Sequence, residues 1–253
     1  MYECFFTDLD NTMIYSHHRE IGKPKIVVEH LDGKEQSFMT EFAYDFLSSA
    51  DWLDVVPVTT RTKQQYDRIE CSERLHFKYA IVCNDGKLLV DGKEDLEWSD
   101  KTDVLVRDNY ESLEQATELL SEICRGEIIH RPERYMSYIK YSDPEGAYKE
   151  IRKSLDSNRV NVQRDGRKVY LFANGISKGD AIERFIRKRK VGTILSAGDN
   201  LMDVSMLNNA DFVFVNKTIT DLITCKNRIT IEEMPFSDGI CKCIAEMRMK
   251  GRI

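Results

Sequence analysis

The apolar positions change period along the chain, and each change predicts an element. Tyr2 to Phe6 form a short apolar run interrupted only by Glu3, the pattern of a strand buried on both faces. Residues 38–50 put Phe38, Phe42, Phe46 and Leu47 on one helical stripe and predict a helix. Val55 to Val58 predict a second short buried strand, weakened by Pro57, which has no N–H for a ladder. Residues 62–73 suit a helix. Tyr79 to Cys83 suit a third strand, closed by the turn signal Asn84-Asp85-Gly86.

The pattern then alters. Residues 109–124 are amphipathic, with Leu113, Ala116, Leu120 and Ile123 aligned. Glu127 to His130 and Tyr135 to Tyr141 read as strands joined across Pro132, and a helix over about 144–155 carries Ala147, Ile151 and Leu155. Strands over about 159–164 and 168–173 meet at Asp165-Gly166, a hairpin turn signal. Strand–helix alternation resumes with a helix near 178–189, a strand near 192–197, a helix near 201–209 and a strand near 211–215. The sequence thus predicts an α/β protein with a parallel-sheet core, residues 1–86 plus 174–253. An α+β domain of αββαββ order, residues 87–173, interrupts it.

Composition narrows the function classes. Of 253 residues 42% are hydrophobic, enough for a proper core, and the net charge of -6 argues against a general nucleic-acid binder. The basic stretch Arg184 to Lys190 reads as the solvated face of a helix. Seven cysteines are scattered without a paired framework, and Cys225, Cys241 and Cys243 lack zinc spacing, so buried free thiols in a reducing cytosol are expected. His17-His18 has no further ligand nearby in sequence. With a first strand at the very start and no run approaching ~18 apolar residues, we expect a cytoplasmic protein without signal peptide or membrane span.

Four segments carry candidate chemistry. Asp8 and Asp10 follow the first buried strand, and ligands of open parallel sheets bind at the carboxyl ends of strands. Two carboxylates there can share a divalent cation, and one can attack phosphorus, although Asp-Asn-Thr is equally good turn and cap material. Thr59 and Thr60 end the second strand, where hydroxyls and amides suit a phosphate oxygen or cap the next helix. Ser177 and Asp180 have capping-box-like spacing, which sets Lys178 in a first helical turn. A lysine is unfavourable at that end of the helix dipole, so an anionic partner is expected. Asp199 follows a later strand and would complete a magnesium site with the first two acids, while Asn200 and Asp203 suit either metal support or a helix cap.

In this order and at these strand ends, the set resembles the haloacid dehalogenase superfamily of aspartate-nucleophile phosphatases. DLDNT is similar to its first motif, VTTRT to its second, SKGDAI to its third and GDNLMD to its fourth, over essentially the whole chain. The insert resembles the type C2, subclass B cap, as in Cof-type sugar phosphatases and sucrose-phosphate phosphatases. Two positions depart from the pattern: Thr60 stands where glycine is common, and Met202-Asp203 where Asn-Asp is common.

The resemblance implies a Rossmann-like core, an aspartyl-phosphate formed on Asp8, and acid–base work by Asp10. It implies phosphoryl binding by Thr59, the Thr60 amide and Lys178. Mg2+ would be held by Asp8, Asp199 and the Asp10 carbonyl, with Asn200 and Asp203 in support. The expected partner is a small phosphate ester, with a sugar phosphate preferred, and neither nucleic acid nor membrane. The cap would select substrate, with His130, Arg131, Arg134, Tyr138 and Lys140 as candidates. A response-regulator receiver is disfavoured by length and by the insert. A phosphatase fold without turnover, or a phosphomutase, remains compatible with the sequence.

Overall fold

The computed structural model describes residues 2–69 and 75–253, and these divide into two compact units: the described residues within 1–94 together with 177–253, and residues 95–176. The first unit begins with β1 (Tyr2–Thr7), β2 (Tyr15–Ser16), β3 (Lys25–Leu31) and β4 (Lys34–Thr40). It continues through α1 (Glu41–Ser49), β5 (Leu53–Pro57), α2 (Lys63–Tyr66), β6 (Tyr79–Val82), β7 (Lys87–Val90) and β8 (Lys93–Glu94). The second unit holds α3 (Leu96–Val106), α4 (Tyr110–Ile123), β9 (Ile129–Glu133), β10 (Met136–Lys140), α5 (Pro144–Ser154), β11 (Val160–Asp165) and β12 (Lys168–Ala173). The chain then re-enters the first unit with α6 (Lys178–Lys188), β13 (Val191–Gly198), α7 (Val204–Leu207), β14 (Phe212–Val215), β15 (Arg228–Thr230) and α8 (Phe236–Met249).

The first unit is built on a parallel sheet in the order β15-β14-β13-β1-β5. Because β1 is an interior strand between β13 and β5, Phe5 and Phe6 are both buried, Phe6 edge-on to Phe185 and Phe5 edge-on to Phe214. A strand buried on both faces needs apolar residues without alternation, which explains the run that opens the sequence. The parallel register pairs Thr7 with both Ala197 and Pro57, so the residues just after β1, β13 and β5 emerge along one edge. Beyond β5 the ladder continues through a Val58–Ile81 bridge towards β6.

Several elements differ from the sequence reading. The residues read as a 38–50 helix begin as strand: β4 runs to Thr40 and pairs with β3, and α1 starts only at Glu41. Thr40 is its N-cap, accepting from the Ala43 amide, so α1 buries Ala43, Tyr44 and Leu47 while Phe42 is 44% exposed. Of the helix read over 62–73, α2 covers Lys63–Tyr66, capped by Thr62 and Gln65, and residues 70–74 lie outside the described ones. The helix read over 201–209 splits into a 3-10 turn and the short α7. The structure adds the small antiparallel sheets β2-β4-β3 and β6-β7-β8 and helices α3 and α8, which the elements expected from the sequence do not include.

The insert boundaries also shift. Leu89 pairs with Glu94 and Tyr79 with Val90, which ties residues 87–94 to the first unit, while 174–176 fall in the second. Within the second unit, four antiparallel strands in the order β11-β12-β10-β9 carry α4 and α5. Pro132 sits inside β9, an edge strand, where its missing donor costs no ladder bond. The basic stretch is not wholly solvated: Arg184 turns inward and donates to Asp85 at 3.0 Å. Burial pushes the Asp85 carboxyl up, and Arg184 opposes that rise.

Candidate active site

Asp8 leaves β1 with its amide still bonded to the Ala197 carbonyl, which fixes its backbone to the central sheet. The chain then wraps tightly. The Leu9 carbonyl accepts the amides of Thr12, Met13 and Ile14, and Asn11 supplies a left-handed residue at φ 64°. Asparagine tolerates that conformation better than most side chains. Asp8 is buried and points to Lys178, whose Nζ donates to Asp8 Oδ1 at 2.5 Å and to Asp203 Oδ1 at 2.7 Å. Lys178 is the first residue of α6, and its N-cap Ser177 accepts from the Asp180 amide. The lysine is thus an interior cation, not an exposed one.

Asp203 closes the loop after β13. Its second oxygen accepts the amides of Asp199 and Asn200, while Asn200 Oδ1 accepts from the Met202 amide. Asn200 and Asp203 therefore cap the 3-10 turn, and Asp203 also serves as the second anionic partner of Lys178. Gly198 makes this closure possible, because a Cβ there would overlap the Asp203 side chain.

Carboxylate oxygens of Asp8, Asp199 and Asp203 all lie within 4.8 Å of one another. Three acids facing one lysine leave excess negative charge in a poorly hydrated place. Burial pushes the Asp8 carboxyl up, Lys178 pulls it back, and Asp203, Asp199 and Asp10 push it further up. Burial opposes the charge on Lys178, but Asp203 and Asp8 outweigh that cost and hold its pKa above the ordinary value. An all-oxygen donor set with surplus negative charge fits a hard divalent cation. The Asp10 side chain is not in this cluster, and the share expected of it was through its carbonyl.

Asp10 instead meets Arg61, a residue of the VTTRT segment for which the sequence alone indicates no role. Arg61 Nε donates to Asp10 Oδ2 at 2.8 Å and Nη2 to Asp10 Oδ1 at 2.7 Å, a bidentate fork. Burial opposes the guanidinium charge, but Asp10 and Glu29 raise its pKa above normal. The signal available in sequence was a long cation placed next to the hydroxyl loop.

Thr59 is buried, its amide bonded to the Ile81 carbonyl and its hydroxyl accepting from the Arg61 amide. Neither Thr59 nor Thr60 caps α2, since Thr62 does. Among the described residues none accepts a hydrogen bond from the Thr60 amide, which leaves it available to an oxyanion. In the second unit the His130 and Tyr138 rings stack at 4.7 Å, Arg131 pairs with Glu114, and Arg134 lies on the Tyr110 ring.

No family model matches this chain, and no curated protein does. Its fold is that of haloacid dehalogenase superfamily phosphatases, as the solved structures it matches show. The sucrose-phosphatase from Synechocystis sp. PCC6803, solved with sucrose and phosphate, superposes with a TM-score of 0.69 at 13% identity, covering 98% of this chain and 99% of that one. The HAD subclass IIB sugar phosphatase BT4131 gives 0.62 at 16% identity over 99% and 100% of the two chains. Aspergillus fumigatus trehalose-6-phosphate phosphatase gives 0.55 at 13% identity over 97% and 93%. Among the described residues no helix is long and apolar enough to cross a membrane.

Proposed function

We propose that the protein is a magnesium-dependent phosphatase that hydrolyses a small phosphorylated metabolite, a sugar phosphate, through an aspartyl-phosphate on Asp8. The observation that carries this reading is the pairing of two differently held acids. Asp8 is buried against Lys178, and Asp10 is 46% exposed in its side chain and held by Arg61. One acid is suited to attack and the other to proton transfer at the open side of the site.

In this reading an Asp8 oxygen attacks phosphorus in line with the leaving alcohol. Lys178, the Thr59 hydroxyl and the Thr60 amide hold the equatorial oxygens as charge develops on them. Asp10 gives a proton to the departing oxygen and then takes one from the water that cleaves the aspartyl-phosphate. Asp8, Asp199 and the Asp10 carbonyl would hold Mg2+, which supplies charge neutralisation between nucleophile and phosphate. Asn200 and Asp203 act behind them, by shaping the Asp199 loop and by sharing Lys178.

The second unit is proposed as the cap that chooses the substrate. The His130–Tyr138 stack and Lys168, 5.4 Å above the Tyr138 ring, offer an amphipathic surface suited to a sugar face with hydroxyls. The sugar assignment also draws on the structural neighbours, whose names give sucrose, trehalose-6-phosphate and sugar phosphates. Phosphate release from a panel of sugar, nucleotide and aryl phosphates, with and without magnesium, tests the proposal. We expect magnesium-dependent release that Asp8→Asn abolishes in a folded protein. Near-normal activity of that variant would refute the nucleophile assignment.

A further inference from the structure

Glu29 is an interior acid that the proposed chemistry does not use. It lies on β3, 1% exposed, and is surrounded by donors. Ser37 Oγ donates to Oε2 at 2.6 Å, Arg68 Nε donates to Oε1 at 3.0 Å, and both Arg61 terminal nitrogens stand 3.1 Å from Oε2. Its inward direction is set by the backbone. Val27 pairs with Phe38 and Glu29 with Ser37, so Val28 is an extra residue, a β-bulge. Bulges re-aim side chains, and here Val28 and Glu29 are consecutively buried where alternation would expose one of them.

Stability alone gives little reason for an acid in this position. Buried ion pairs are often replaceable by apolar residues without loss of stability. What Glu29 does hold is the guanidinium whose other edge carries Asp10. Arg61 has an 11% exposed side chain, Glu29 a 1% exposed one, and Asp10 a 46% exposed one. The buried anion lies on the inner side of the fork and the more exposed acid on the outer side. Gln65 contributes its carbonyl to Arg61 Nη1 at 3.3 Å, a longer contact with a neutral group.

We propose that Glu29 is a positioning residue: through Arg61 it holds the Asp10 carboxylate in the orientation that proton transfer requires. This rests on the phosphatase reading above and adds to it a network reaching from the β2-β4-β3 sheet. Misplacing a catalytic group by about 1 Å costs on the order of 10²-fold in rate, so a small loosening of the fork should be visible in turnover.

The test is Glu29→Gln, which keeps shape and most hydrogen bonds while removing the charge. With an alkyl phosphate ester, kcat should fall about 10- to 100-fold while KM stays within about threefold. In an Asp10→Asn background the same change should cost less than about threefold, because Glu29 acts through Asp10. The Arg61 Nε–H, which bonds Asp10 and not Glu29, should exchange with solvent faster in Glu29→Gln, read by NMR and assigned by its loss in Arg61→Lys. Ser37→Ala, which removes a single bond to Glu29, should shift turnover in the same direction by a smaller factor if Glu29→Gln proves unstable. Equal losses in both Asp10 backgrounds, or unchanged exchange, would overturn the proposal. Absence of phosphate release by the parent protein would instead sink the phosphatase reading, and the exchange measurement alone would then decide the Glu29–Arg61–Asp10 linkage.

Discussion

Lys178 donates from one ammonium to Asp8 and to Asp203, and so joins the end of β1 to the loop that follows β13. The lysine comes from the start of α6, the first element after the second unit. Three distant stretches of chain thereby meet in one buried charge cluster. Its stability depends on Lys178 staying paired with both acids, and so does the chemistry proposed for it.

Replacing Lys178 by methionine would leave Asp8 and Asp203 facing each other without a cation. Removing one member of a buried ion pair typically costs about 3–5 kcal/mol. Lys178→Met should lower the denaturant midpoint accordingly and abolish phosphate release, as measured by urea unfolding alongside a turnover assay.

Gly198→Ala should act at a distance from any reacting atom. The added methyl would press on Asp203 and displace the partner of Lys178. Overpacking of this kind costs about 1–3 kcal/mol. A thermal melt should show the loss, and turnover should drop with it. An unchanged melting temperature would mean that the loop after β13 yields more freely than its hydrogen bonds imply.

Asp10→Asn removes acid–base capability but retains a group that Arg61 can reach. Turnover should fall by about 10²–10⁴ while the fold survives, judged by circular dichroism. The loss should be smaller with an activated aryl phosphate, whose leaving group departs without protonation, and comparing the two esters separates the acid role from the base role.

Magnesium should stabilise the protein, since the clustered acids carry more charge than Lys178 cancels. At a concentration about 100-fold above its dissociation constant, binding adds about 2.7 kcal/mol. Calorimetry should find a rise in melting temperature with magnesium that Asp199→Asn loses. A variant that keeps the full rise would remove Asp199 from the metal site.

Much of the architecture was readable from apolar runs. The β14 strand is an unbroken hydrophobic stretch, and β1 and β13 are apolar for most of the residues that they bury. The second-unit helices α4 and α5 and strands β11 and β12 show clear periods with a turn between them. Elements that rely on pairing were harder to read. Residues 38–40 look helical by stripe, yet pairing with β3 claims them, and Phe42 is left half-exposed as a result. Helix α8 buries Phe236, Ile240, Ile244 and Met247, a helical period visible in the sequence near its end.

The sequence by itself determined which acids follow which buried strands, because strand burial and side-chain chemistry are local properties. It therefore placed Asp8, Asp10, Thr59, Lys178 and Asp199 as candidates. Only the tertiary structure decided their partners. It turned Asp10 towards Arg61, gave Asp203 to Lys178 and to the amides of its own loop, and brought Glu29 inward through a bulge. Parallel register, loop closure and the burial of charge join residues far apart in the chain, and no local pattern records those distances.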